Sequence, residues 1–454
     1  MSKPSRRELL ERFAASTFGL TVRSAVTGLP ASFLLTGKAS ASDFTPRTTI
    51  LACSGAGESV NCNGPGTFDP DATDWFSHAG PKVDYEQAPQ FVNGVELVPG
   101  DLEIGVETTF GAETHTVAKA WATLPADLRA HLVWFNYRSG AGIHPQFPTV
   151  LRAHGGLRGA LGRGSEELPA AIAQDTAALM GCITPDPIVL GGNGFSSNGS
   201  PLASYTPTQL KALVGSLGQS VGGLDNFAML HDYFIDQSYQ HIRDNGSAQQ
   251  MRFLREHANS REDAAAFGYA LGDLLTHIES DREIDQLRAA LAIAKLNIAP
   301  VVITKYAFSG DNHGDATLVD ETEDTFRMLA AIDAYWSEMK AMGLQDQVWL
   351  ATADVFGRDT FLKNGRGHHG KLTTGLMLGT QLNGGVIGGH ELAEKNAVFA
   401  TSINATTGSP DSPDIDADDT LNAYYKTVMM AAGVPAEQRE TRFPYSKEVT
   451  SHMA

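Results

Sequence analysis

Residues 299–322, APVVITKYAFSGDNHGDATLVDET, change abruptly from apolar to polar side chains. The apolar part, residues 299–308, is short and rich in β-branched residues, which is typical of a buried strand. Residues 311–315 then bring together two aspartates, an asparagine and a histidine. The sequence therefore predicts a strand that ends in a polar loop. Whether that loop binds a metal or is a turn followed by a helix cap is left open.

The same kind of apolar run recurs along the chain. Further strands are predicted at residues 47–54, 131–138, 186–192 and 347–354. Because helical segments separate them, the pattern favours an α/β fold with a doubly wound, mostly parallel sheet and helices on both faces.

Two helical regions interrupt the strands. Residues 205–296 have helical spacing and few strand formers, which indicates a helical insertion. A second helix, about residues 321–342, is amphipathic, and its apolar face comprises Phe326, Leu329, Ile332, Trp336 and Met339.

In an α/β sheet, ligands bind beyond the carboxyl ends of the strands. The polar groups at residues 311–315 and 354–369 both follow such ends. We therefore expect them to contribute to one site.

Composition excludes some partners. The chain has 454 residues, and its 34 basic and 52 acidic residues give a net charge of −18. That charge disfavours nucleic acid and anionic membranes. It does not exclude a small anionic substrate, because a bound metal dominates the local field.

The N-terminus resembles an export signal. Arg6 and Arg7 precede a weakly apolar segment and the small-residue site at residues 39–41, so residues 1–41 are predicted to be a twin-arginine signal peptide. The alternative is a short amphipathic helix. Residues 42–454 are then a single domain without a membrane span, located in the periplasm or secreted.

The chain has three cysteines, Cys53, Cys62 and Cys182, and none of them forms a CxxC motif, which argues against a cysteine-based zinc site. Cys53 and Cys62 are near enough in sequence to pair, but spacing does not decide whether they do.

Asp311 and His313 are the first candidate ligands. A carboxylate and an imidazole two residues apart on a loop can both bind one divalent ion. A capping role for Asp320, with Glu323, explains the following helix without a metal. It does not explain Asp311 and His313.

A second constellation is ADVFGRDTFLKNGRGHHG, residues 353–370. Asp354 ends a strand, Arg358 can interact with an anion, and His368 and His369 close the loop. Adjacent histidines point in different directions, so that one of them is expected to bind a given metal.

These motifs resemble an exported bacterial family named domain of unknown function 1501. The resemblance is carried by GDNHGD, the helix ending in MGLQDQVWLATADVFGR, NGRGHHG and the Gly-rich LMLG and GGVIGG, and it covers about residues 47–395. The family is placed in the alkaline phosphatase and sulfatase superfamily, whose members hold one or two divalent metals in a doubly wound α/β fold.

The resemblance implies a set of metal ligands. Asp311, His313 and His369 match family positions directly. Asp354 stands where the family has Glu, and His368 where it has Asp. Glu58 is offered where the superfamily places a metal-binding Asp. The implied ion is zinc, manganese or calcium.

The resemblance also implies a nucleophile at the start of a helix, and Ser59 and Ser139 are the candidates by position. His144 suits a substrate-facing or proton-transfer role, or is simply a loop histidine. Neither Cys53 nor Cys62 has the sequence context of a formylglycine site.

The expected function is that of an exported metal-dependent hydrolase of phosphate or sulfate esters, with Arg358 assisting. The alternative is a non-catalytic periplasmic binding or assembly protein on the same fold. A carbohydrate-binding protein is disfavoured, because the 5 tryptophans do not cluster.

Overall fold

The computed structural model describes part of the chain. The residues it describes are 45–57, 90–92, 95–97, 107–110, 113–116, 124–160, 162, 164–192, 194–216, 272, 274–305, 311, 313, 319–358, 367–392 and 398–454. The predicted signal peptide lies outside these ranges, as does most of the predicted helical insertion.

An eight-stranded mixed sheet forms the centre of the fold. In chain order its strands are β1 (Thr48–Ser54), β2 (Leu132–Tyr137), β3 (Ile188–Leu190), β4 (Ser204–Tyr205), β5 (Val301–Lys305), β6 (Val348–Asp354), β7 (Thr373–Leu378) and β8 (Gly385–Ile387). Their spatial order is β4-β3-β5-β1-β6-β7-β2-β8.

Most neighbouring strands are parallel. β1 pairs in parallel with β5 and β6, β5 pairs in parallel with β3, and β8 pairs in parallel with β2. β7 is antiparallel to both of its neighbours, β6 and β2. The predicted α/β class is therefore confirmed, and the sheet is mixed because β7 reverses direction.

Eight α-helices accompany the sheet in the described residues. They are α1 (Ala126–Arg129), α2 (Phe147–Leu151), α3 (Leu168–Met180), α4 (Pro207–Ser216), α5 (Glu283–Lys295), α6 (Val319–Ala341), α7 (Thr420–Ala431) and α8 (Ala436–Arg442). Because α6 begins at Val319, Asp320 lies within its first turn. On α6, Leu329, Ile332, Trp336 and Met339 are buried, as the sequence predicts.

The remaining elements are short. Single 3-10 turns are formed by His144–Gln146, Ala153–Gly155 and Ala417–Asp419. Two-stranded ribbons pair Gln90–Val92 with Val95–Leu97, Glu107–Phe110 with Glu113–Thr116, Ser196–Ser197 with Ser200–Pro201, Gly357–Arg358 with His368–His369, and His390–Leu392 with Val398–Ala400.

β1 and β6 are buried along their whole length, which is expected of strands covered on both faces. Successive side chains alternate between faces. Leu51 and Cys53 belong to one apolar cluster with residues of α3 and α7. Ile50 and Ala52 are also buried, and α5 packs against β1 and β5. Each fully buried Leu or Ile contributes about 1.5–3 kcal/mol, so this packing fixes the strand ends that carry the candidate site.

The chain divides into two compact units, one containing residues 205–281 and the other containing residues 38–204 and 282–454. In the first unit, Lys211 donates hydrogen bonds to the carbonyls of Thr276 and Ile278. The candidate site belongs to the second unit.

Other sequence expectations concern cysteines and membranes. Cys53 is a buried free thiol in β1, and Cys62 lies outside the described residues. Among the helices that the structure describes, none is both long enough and apolar enough to cross a membrane.

Candidate metal centre

The topology brings distant parts of the sequence to one edge of the sheet. β1, β2, β5 and β6 run in the same direction, so the loops after their last residues all emerge at the same edge. β7 runs the other way, and the segment that precedes its first residue therefore lies at this edge as well. The polar residues that follow β2 and β5 and precede β7 consequently meet.

Four side chains converge there: His144, Asp311, His313 and His368. One potential ligand atom from each lies within 4.8 Å of all the others. About half of the Asp311 and His313 side chains is exposed, so the group is accessible from solvent.

The ring of His144 is oriented by the loop that follows β1. Its Nδ1 lies 2.8 Å from the carbonyl oxygen of Gly55, which places the proton on Nδ1 and the free lone pair on Nε2. Nε2 is buried and makes no hydrogen bond to any residue that the structure describes. It is aimed at the carboxylate of Asp311, 3.4 Å away. An oriented, buried imidazole lone pair is what a metal ligand requires.

His368 is oriented in the same way. Its Nδ1 lies 2.7 Å from the carbonyl oxygen of Gly142, and its Nε2 lies 2.7 Å from Nε2 of His313. Partial burial lowers the pKa of His368. The charge of Arg358, and those of His144 and His313 in their protonated forms, add to this effect, against the hydrogen bond to Gly142. The lowered pKa favours the neutral imidazole, which is the form that binds metals.

Asp311 provides the carboxylate. Its Oδ1 lies 2.9 Å from Nη2 of Arg358 and 3.3 Å from Nε2 of His313. Partial burial raises the pKa of Asp311, but the hydrogen bond and charge of Arg358, together with His144 and His313, outweigh it. The net pKa is lowered, so the carboxylate is ionised at neutral pH.

The spacing suits a divalent ion. Ligand atoms bound to a tetrahedral zinc at 2.0–2.1 Å lie about 3.3 Å from one another. The distances from Asp311 to His144 and His313, 3.4 and 3.3 Å, already match this value. The 2.7 Å contact between His313 and His368 is a direct hydrogen bond and has to open by roughly 0.6 Å to admit an ion. The remaining separations are at most 4.8 Å, so the four ligand atoms reach tetrahedral spacing after changes of at most about 1.5 Å.

An aromatic ring lies beside the centre. The ring of Phe356 is fully buried, with its centroid 4.3 Å from that of His368 and 5.0 Å from that of His144. It also lies 5.2 Å from the guanidinium of Arg358. Gly57 leaves room for this arrangement, because a Cβ there would lie 2.5 Å from the Phe356 ring at a backbone φ of +98°. Phe356 thus limits the movement of both imidazoles.

The structure groups some of the residues that the sequence proposes. Asp311, His313 and His368 meet as candidate ligands. His144, expected to face substrate or transfer protons, joins them as the fourth. Arg358 is fully buried and donates hydrogen bonds to Asp311 and to the carbonyl of Ala56. It therefore holds the Asp311 carboxylate in place from the protein interior.

Other proposed residues lie elsewhere or outside the description. Asp354 is buried, accepts a hydrogen bond from the Val355 N–H at 2.8 Å and is not among the four convergent residues. Ser139 is fully buried, which does not suit an exposed nucleophile. The backbone of His369 pairs with Gly357, while its side chain, like Glu58 and Ser59, lies outside the described residues.

Sequence reasoning missed the ligand geometry of His144 and the part played by Phe356. The available signal for His144 was its position in a Gly-rich loop directly after a predicted strand. Phe356 gave no such signal, because one aromatic residue after a strand is ordinary.

An α/β protein with a candidate three-histidine, one-carboxylate metal centre is the class that these observations define. No protein-family model matches the chain, and no curated protein matches it. The resemblance to the domain of unknown function 1501 family consequently depends on the motifs alone.

Proposed function

We propose that this protein is a divalent-metal-dependent hydrolase of small phosphate or sulfate esters. The observation that carries the metal centre is the shared orientation of His144 and His368. Each ring is fixed through Nδ1 by a backbone carbonyl, at 2.8 and 2.7 Å. Nε2 of His144 then faces Asp311 at 3.4 Å, and Nε2 of His368 faces His313 at 2.7 Å. Hydrogen bonds of this kind orient metal-binding histidines in proteins.

The donor set favours zinc over calcium and manganese. Three imidazoles and one carboxylate suit zinc and related transition metals, whereas calcium takes six to eight oxygen ligands. Manganese is the less favoured alternative, because it prefers oxygen donors. A bound zinc would supply Lewis-acid polarisation of an ester oxygen.

The residues around the centre favour an anionic substrate. Arg358 places a permanent positive charge next to Asp311. The side chains of His144 and His313 are partly exposed, so that a substrate can reach them. Because Arg358 is fully buried, it does not contact the ester directly. It positions the Asp311 carboxylate and makes the local electrostatic potential more positive, and the ester binds at the solvent-exposed side of the centre.

Further parts of the proposal come from the motifs. They include membership of the domain of unknown function 1501 family, an alkaline phosphatase-like arrangement of the doubly wound sheet, and export through the twin-arginine signal to the periplasm or the medium. The chain's net charge of −18 supports a small-molecule substrate over nucleic acid.

Metal analysis of the purified protein tests the centre. We expect stoichiometric zinc in the wild-type protein and its loss in Asp311→Ala and His144→Ala. Matched controls are Asp411→Ala, which replaces an exposed aspartate outside the group of four, and His131→Ala, which replaces a histidine at the opposite end of β2 from His144. Retention of zinc in the first pair, or its absence from well-folded wild-type protein, would overturn the proposed centre.

Aryl phosphate and aryl sulfate esters then test the reaction. Zinc-dependent hydrolysis of one of them, abolished in His144→Ala, is the expected outcome. Zinc binding without hydrolysis of either class would instead favour the non-catalytic binding protein.

A further inference from the structure

A strained turn packs against the chain segment that leads to His144 of the candidate centre. Ala153 and His154 are consecutive non-glycine residues with left-handed backbone angles, φ 48° and φ 51°. Such angles cost free energy for residues with a Cβ and persist only where the surroundings enforce them. Here Ala153 is buried in the apolar core, and Gly155 and Gly156 donate hydrogen bonds back to Arg152 and Ala153, both at 2.8 Å.

The strain directs the His154 side chain onto the end of β2. Its Nε2 lies 2.6 Å from the carbonyl oxygen of Ser139, so the ring donates a hydrogen bond there. The ring also covers Gly140, where a Cβ would lie 3.2 Å from Nε2. His154 thus holds two consecutive residues of the chain at the point where β2 gives way to a loop.

That loop contains two functional groups of the candidate centre. His144 presents Nε2 to Asp311, and the Gly142 carbonyl orients His368. The loop is anchored again by the hydrogen bond from Gly140 N–H to the Gly370 carbonyl, 2.9 Å, next to the histidine ribbon. A displacement at Ser139 therefore moves one candidate ligand and the anchor of another.

We propose that His154 is a positioning residue of the metal centre, acting through the Ser139 carbonyl on residues 140–144. This inference rests on the proposed metal site. His154 touches neither the ion nor the substrate. Its effect is to keep the Nε2 atoms of His144 and His368 at ligand spacing, and so to raise metal affinity.

If His154 only stabilised the fold, its variants would behave differently. In that case metal affinity would follow thermal stability in any set of variants. A positioning residue instead separates the two quantities, because backbone conformation and hydrogen-bond reach can be changed independently at residue 154.

Three variants make this separation. In His154→Asn the side chain suits a left-handed backbone but is too short to reach Ser139. In His154→Gln the amide nitrogen reaches about as far as Nε2, while the backbone is less favourable. In His154→Gly the strain is relieved and the donor is lost. Zinc affinity is measured on the full chain by competition with a chromogenic chelator, and thermal unfolding on the zinc-free protein.

We expect His154→Asn and His154→Gly to bind zinc roughly tenfold more weakly, with unfolding midpoints equal to or above that of the wild type. His154→Gln should keep zinc affinity within about threefold and unfold at a lower temperature. Wild-type affinity in both His154→Asn and His154→Gly, or an affinity ranking that follows the unfolding midpoints, would overturn the inference alone. Failure of the wild type to bind zinc would overturn the proposed function, and this inference with it.

Discussion

Nη2 of Arg358 lies 2.9 Å from Oδ1 of Asp311, within the group of four candidate ligands. The guanidinium is fully buried, while more than half of the carboxylate side chain is exposed. The pair has two opposing effects on a metal. Arg358 holds Asp311 in place, and it also puts a positive charge close to the point where a divalent cation would bind.

The first prediction follows from weighing those effects. A unit charge and a divalent ion about 5 Å apart repel by about 1.7 kcal/mol even at the dielectric constant of water, and by more in a partly buried site. Loss of a hydrogen bond to a metal ligand typically weakens metal affinity 10–100-fold, a comparable energy. We expect the repulsion in the partly buried site to exceed the value in water and to dominate at low salt, so that Arg358→Gln binds zinc more tightly than the wild type, by up to about tenfold.

Titration calorimetry at low and high ionic strength checks this expectation. The advantage of Arg358→Gln should shrink as salt screens the charge. Arg288→Gln, which removes a charge that pairs with Asp285 and Glu338, is the control and should leave zinc affinity unchanged. Weaker zinc binding by Arg358→Gln at every salt concentration would mean that positioning of Asp311 dominates instead.

The second prediction concerns the Phe356 ring beside His144 and His368. Phe356→Ala should lower the free energy of unfolding by about 3–5 kcal/mol, as buried Phe-to-Ala changes do. Phe356→Leu, which retains more of the volume, should cost less than about 1.5 kcal/mol. Both variants should bind zinc more weakly, because the imidazoles lose the surface that limits their rotation.

A matched control is Phe135→Leu. Phe135 is also fully buried, but it packs against Tyr424 in the core, with ring centroids 5.0 Å apart. Urea unfolding and zinc titration should therefore show a similar stability loss in Phe135→Leu without a change in zinc affinity. Equal zinc affinities for Phe356→Leu and the wild type would show that the ring is only core packing.

The main strands and the edge that carries the site are predictable from the sequence. The apolar runs at residues 47–54 and 347–354 match β1 and β6 to within a residue. The predicted convergence of Asp311, His313 and His368 follows from the general rule that loops after parallel strands meet at one edge. These features are recoverable because they depend on local pattern and a common topology.

Other features depend on contacts between distant residues and leave no local signal. β7 lies between β6 and β2 in antiparallel orientation, and no periodicity in TTGLML specifies its neighbours. The orientation of His144 depends on the Gly55 carbonyl, 89 residues away in sequence. The left-handed angles of Ala153 and His154 are likewise enforced by tertiary packing, since neither residue type demands them.

The third prediction concerns acid stability. Asp127 accepts hydrogen bonds from Lys340 and Trp336 of α6, and these lower the pKa of Asp127 to about 2. In the unfolded chain the pKa is about 3.9. Because the folded-state pKa is the lower one, the stabilisation is complete above about pH 5 and is lost as the pH falls through about 2.

Urea unfolding of Asp127→Asn and the wild type checks this sign. The wild type should be more stable at neutral pH, by less than about 1 kcal/mol because the pair is largely exposed. The two proteins should converge towards pH 2. Asp411→Asn, an exposed loop control, should show no such convergence. If the stability difference between the wild type and Asp127→Asn grew as the pH fell, the lowered pKa of Asp127 would be contradicted.

The last prediction concerns the buried ion pair between α8 and α3. The guanidinium of Arg442 is almost inaccessible and contacts both carboxylate oxygens of Asp175, at 2.9 and 2.8 Å. Burial raises the pKa of Asp175, and Arg442 opposes that shift.

Asp175→Ala leaves the guanidinium buried without its counter-charge, so we expect a loss of about 3–5 kcal/mol in the free energy of unfolding. In the double variant Asp175→Ala/Arg442→Met the uncompensated charge is gone, and the loss should fall short of the sum of the single losses by up to about 3 kcal/mol. Lys447→Ala, which removes the exposed partner of Asp414, should leave the urea midpoint nearly unchanged. Additive single and double effects would show that Asp175 and Arg442 stabilise the fold independently, through packing and not through their charges.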